Sequence, residues 1–197
     1  MPSSQTSSKP QIKGVAMLNA VRALRSLGKD RARELLPERM HKYLGDERIL
    51  PMAWYPETEM LELNRALAQI IRPTLGGASL EETFVHMGRL GARMDLAGVY
   101  ASRIRDRPLA DAAQRVGSMW KQYHDTGTLA VSLQPNVARF ELRDYGLPSR
   151  ELCWIQRGWF HEYMTQLGAA DCEVVETQCR IRAAHSCIWQ ATWRTGR

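Results

Sequence analysis

A chain of 197 residues, 44% hydrophobic and 24% charged, has the make-up of one globular domain able to bury an ordinary core. No run of about 18 apolar residues occurs, and the serine-rich start MPSSQTSSKPQIKG lacks the apolar stretch of a secretory signal, which excludes an ordinary membrane span and points to the cytoplasm. The net charge is +6, but the bases are interleaved with acids, as in GKDRARELLPERMHKYLGDER, so they read as solvated helix faces and argue against nucleic-acid binding.

Residues 1–14 read as a flexible tail and 15–197 as a single domain. AMLNAVRALRSL sets Met17, Val21, Leu24 and Leu27 at helical spacing, and Gly28 stops that helix. Asp30 is placed to cap DRARELLPERMHKYL, which Pro37 breaks or kinks. LPMAWYP reads as a loop, and ETEMLELNRALAQIIRPTL as the next helix. SLEETFVHMGRLGARMDLAGVYASRI opens with Ser79 and, three residues on, Glu82, the reciprocal N-terminal capping pattern. RPLADAAQRVGSMWKQYH has proline near its first turn and periodic apolar positions.

After the turn at Asp125–Gly127 the period changes to two. LAVSL, a Pro135–Asn136 turn and VARFELRDY predict a β-hairpin. RELCWIQRGWFHEYMTQLG predicts a helix ended by Gly168, and CEVVETQCRI with SCIWQATW two further strands. Helices, hairpin, helix, hairpin make an α+β fold: N-terminal helices packed with a small antiparallel sheet of about four strands.

Four cysteines in a reducing compartment are either buried free thiols or metal ligands. Cys153 lies in the first turns of the last helix, Cys179 near the end of one strand, and Cys187 at the start of the next. Glu176 can reach the same place if its strand ends or bulges there. Cys153, Glu176, Cys179 and Cys187 would supply a four-ligand tetrahedral set, closed to water and therefore structural, with Cys172 left over.

The stretch from Cys153 to Cys187 resembles the end of the vinyl-reductase-type small-molecule-binding domain, as found in the sensory modules of phenol- and xylene-responsive activators. The matching elements are Cys153–Trp154, GWFHEYMTQLG, Glu176-x-x-Cys179 and Cys187, over about the last 50 residues. The resemblance implies a structural zinc on Cys153, Glu176, Cys179 and Cys187, clasping the terminal hairpin. It also implies a homodimer and a fold shared with haem nitric-oxide-binding domains and TRAPP-type subunits. His185 stands second to Glu176 as the fourth ligand.

The phenol-holding histidine and tryptophan of those sensors have no clear counterpart. His86, Trp120 and Tyr123 are the candidates for a ligand pocket, among methionines and aromatics (Met87, Met94, Met119) that equally fill a core. No GxSxG elbow, glycine-rich phosphate loop or other catalytic set is present, so no enzyme is expected. The expected function is a zinc-containing sensor-like domain that binds a small apolar or aromatic molecule. Its output would pass through the dimer interface or an unidentified protein partner. The alternative is a scaffold protein of the same fold without a ligand.

Overall fold

The computed structural model describes residues 9–97 and 108–194. Strand β1 (Gln11–Lys13) leads directly into helix α1 (Gly14–Leu35), so part of the segment read as tail is built into the fold. Gly28 leaves helical geometry and kinks α1 where the sequence put its stop; the helix then resumes through Asp30 to Leu35. Pro37 precedes a tight 3₁₀ segment, Glu38–Leu44.

Strand β2 (Trp54–Pro56) pairs antiparallel with β1, where a loop was expected. Helix α2 (Glu57–Ile71) ends in a 3₁₀ turn, Arg72–Leu75. Helix α3 (Leu80–Ala97) starts on the expected cap: the Glu82 N–H donates to Ser79 Oγ at 3.1 Å, and the Ser79 N–H to Glu82 Oε2 at 2.7 Å. The part of that prediction beyond Ala97 lies outside the described residues. Helix α4 (Leu109–Tyr123) follows Pro108.

Strands β3 (Thr128–Gln134) and β4 (Val137–Arg143) form the expected hairpin, with Asn136 at φ 60° in its turn. Helix α5 (Arg150–Gln166) is capped by Ser149, whose Oγ accepts from the Leu152 N–H, and Gly168 at φ 92° reverses the chain after it. Strands β5 (Ala170–Gln178) and β6 (Cys187–Arg194) complete a four-stranded antiparallel sheet in the order β3-β4-β6-β5.

Two apolar cores result. One lies under the sheet, where Phe160 of α5 stacks on Phe140 at 4.2 Å and meets Trp189 edge-on at 5.4 Å. The other gathers α1, α2 and the 3₁₀ segment around Met17, Leu24, Met40 and Leu63. Helices α3 and α5 cross backbone to backbone. A Cβ on Gly88 would stand 2.0 Å from the Ile155 carbonyl oxygen, and one on Gly158 2.0 Å from that of Val85. Only glycine fits at either point.

Candidate functional site

Between the two cores lies a cavity of about 310 Å³, within the size range of small-ligand pockets. Leu61 and Leu67 of α2, Met87 and Gly91 of α3, Val116 and Trp120 of α4, and Ile155 and Phe160 of α5 are among its walls. The exposed Leu27, Leu90 and Met94 also line it, so it reaches the surface beside them. The close α3–α5 crossing at Gly88 and Gly158 fixes one wall.

The polar features of this wall come from distant parts of the chain. Glu57, the first residue of α2, is buried at 4% exposure, and its Oε1 lies 2.5 Å from His124 Nδ1 at the end of α4. Its Oε2 has no hydrogen-bond partner. The His124 ring lies flat on Trp120, centroids 3.9 Å apart, and Tyr145 stands edge-on to both. The Trp120 Nε1–H donates to the Thr126 carbonyl at 3.0 Å, which fixes that indole. Burial, then the charge of Glu57 and a hydrogen bond donated to that carboxylate, hold the Tyr145 hydroxyl well above the usual phenol range, so it stays protonated. Elsewhere in the wall Asp95 accepts from the Trp159 Nε1–H at 3.0 Å. Burial pushes its carboxyl up to about 6, against the lowering effect of that hydrogen bond.

Of the expected pocket residues, Trp120 and Tyr123 line this cavity. His86 is half-buried on α3 and is not among the lining residues; its neighbour Met87 is. Glu57, Asp95 and Tyr145 were not expected in the pocket. Glu57 reads in sequence as an ordinary first-turn acid, and nothing local announces its partner.

The cysteines form a separate cluster. The sulfurs of Cys153, Cys179 and Cys187 lie within 4.8 Å of one another, with Cys153 Sγ 3.6 Å from Cys179 and 3.7 Å from Cys187. A register shift between Glu176 and Gln178 in the β5–β6 ladder turns the chain toward this point. Hydrogen bonding from Cys153 favours the thiolate of Cys187, helped by the Arg180 N–H at 3.4 Å, and the same contact raises Cys153. Cys172 stands apart in β5, half-buried, and His185 is exposed. Glu176 lies beside the trio, but its Oε2 is paired with Arg150 at 2.7 Å, and the same guanidinium nitrogen contacts Cys179 Sγ at 3.2 Å. The other carboxylate oxygen, Oε1, is buried without a hydrogen-bond partner, and Glu176 borders Cys153 as well.

No protein-family model matches the sequence, and no curated protein matches it. Solved structures do. An H-NOX protein of S. oneidensis in the Fe(II) ligation state superposes with a TM-score of 0.66 at 13% identity, covering 94% of this chain and 97% of that one. An H-NOX structure from work on haem distortion gives 0.66 at 14%, over 94% and 96%. An oxygen-binding H-NOX domain related to soluble guanylate cyclases gives 0.65 at 13%, over 93% and 95%.

These neighbours correct two expectations. Zinc is not the group that goes with this fold among them: one is described by its Fe(II) state and another by its haem distortion. In this chain Cys153, Cys179 and Cys187 form a buried thiol cluster, with Glu176 beside Cys153 and the Arg150 guanidinium against Glu176 and Cys179. The narrower likeness to vinyl-reductase-type domains and phenol activators also gains no support; what is supported is the wider fold group.

Haem in turn does not fit the described walls. His124 is the one lining imidazole among the described residues, and its ring face is covered by Trp120, centroids 3.9 Å apart. The charged side chains facing the cavity are Glu57 and Asp95, and no described lining residue is a lysine or arginine able to receive the two carboxylates of a haem. The chain is similar in fold to H-NOX domains over 93–94% of its length.

Proposed function

We propose that this protein is a non-catalytic, cytoplasmic ligand-binding regulatory domain whose cavity takes a small apolar or aromatic molecule. The cavity itself carries this reading: about 310 Å³ of unfilled space, apolar for most of its wall, between two apolar cores. The fold likeness to sensor domains, one of them described as oxygen-binding, supports it.

Location suggests how binding is read out. The walls draw on both cores, Trp120, Leu129 and Phe160 from one and Ile12, Ala20 and Leu67 from the other. A ligand touching both favours the arrangement in which they close on it, and a partner or a second copy that distinguishes the two arrangements receives the signal. The scaffold alternative calls for a filled interior and is the weaker reading. Calorimetric titration with naphthylmethanol, an uncharged aromatic of suitable size, tests the proposal. One equivalent bound per chain is expected; no binding by this or similar aromatics removes it.

A further inference from the structure

The cavity's charge contrasts with that of the chain. Lysine and arginine number 27 against 21 acids overall, yet the described residues that line the cavity include two carboxylates, Glu57 and Asp95, and no lysine or arginine. Glu57 is 4% exposed, meets His124 through Oε1 and has the Tyr145 hydroxyl hydrogen-bonded to the same carboxylate, so its neighbours are neutral or aromatic and no described lysine or arginine of the wall offsets its charge. Aromatic rings surround both acids. Trp120 and Tyr145 pack with the His124 ring that Glu57 holds, and Trp159 donates directly to Asp95.

From this arrangement we infer that the cavity selects organic cations: an aryl or alkyl amine whose ammonium group pairs with the wall carboxylates while its apolar body lies among the rings. The inference rests on the ligand-binding reading and narrows it. An ammonium offsets the negative charge that the lining carries, and the faces of tryptophan and tyrosine attract the same charge. A neutral aromatic of equal shape fills the space but brings no charge to set against the carboxylates. An anion of equal shape meets two carboxylates with no described lining lysine or arginine to offset them.

Three probes of one shape separate the outcomes: naphthylmethylamine, naphthylmethanol and naphthoate, titrated calorimetrically into the intact chain. The amine is expected to bind ~10-fold or more tightly than the alcohol, with naphthoate weakest. Glu57→Gln, which keeps an acceptor for His124, and Asp95→Asn should each lower amine affinity toward that of the alcohol and narrow the ratio between the two. Thermal melting checks that each variant is folded; if Glu57→Gln is not, Asp95→Asn carries the test. Equal affinity for amine and alcohol overturns the cation selectivity and leaves the cavity reading standing. Binding of none of the three overturns both.

Discussion

Glu57 Oε1 and His124 Nδ1, 67 residues apart in sequence, lie 2.5 Å from each other in the wall between the two cores. The contact ties the start of α2 to the end of α4, and Ile12 of β1 bridges to the same His124 backbone. Removing one member of a buried pair leaves the other without its partner, a loss of about 3 kcal/mol. Glu57→Ala should therefore unfold at distinctly lower urea concentration, whereas Glu57→Gln, which retains an acceptor, should lose much less. Equal midpoints for Glu57→Ala and wild type contradict the structural role of the pair.

The α3–α5 crossing predicts a sharp contrast among glycines. Gly88→Ala and Gly158→Ala each drive a methyl into a carbonyl oxygen 2.0 Å away and should cost about 3 kcal/mol or prevent folding. Gly91→Ala meets nothing nearer than Trp159 Cδ1 at 4.0 Å and should hold or raise stability by about 0.5–1 kcal/mol through helix propensity. Chemical denaturation of the three variants measures this ordering.

Asp95 gives a pH signature. Its folded value of about 6 lies above the unfolded 3.8, so the fold favours the protonated form. Its contribution is present below pH 3.8 and is lost as pH rises through 6. Asp95→Asn should then stabilise by roughly 1–2 kcal/mol at neutral pH, a figure reduced for the carboxyl's partial exposure, and by nothing near pH 3.8. Glu141 runs the other way. Hydrogen bonds from Arg143 first, then Arg139 and Ser186, hold it down to about 2. Its contribution is present above pH 4.5 and disappears as pH falls through 2. Thermal melts of wild type, Asp95→Asn and Glu141→Gln across this range separate the two slopes.

Much of this fold was legible because its signals are local. Ser79 and Glu82 spell out their own helix cap, the alternation through VARFELRDY marks a strand, and Gly28 and Gly168 interrupt helices where they stand. The convergence of Cys153, Cys179 and Cys187 was also readable, since hairpin geometry brings two of them together. The β1–β2 pair was not: each strand has three residues, too few to show a period, and one ends in proline. The cavity was hidden for a different reason. Trp120 and Tyr123 look the same in sequence whether they fill a core or line a space, and the burial of Glu57 depends on a histidine in another helix.

The furnishing of the cavity also makes a prediction about haem. Protein incubated with hemin and desalted should carry no stoichiometric haem and show no histidine-ligated absorption band. No lysine or arginine among the described lining residues meets the carboxylates, and the His124 ring lies flat against Trp120. A one-to-one complex with such a band contradicts this account of the walls.

Filling the cavity from its own wall tests the central claim most directly. Gly91 lines the space, and a Cβ there has room, so Gly91→Leu directs a side chain into the cavity without a backbone collision. Naphthylmethanol titrated into wild type and into Gly91→Leu should bind one equivalent to the first and none to the second, with the variant melting at or above the wild-type temperature. Equal binding to both places the ligand elsewhere and contradicts the claim.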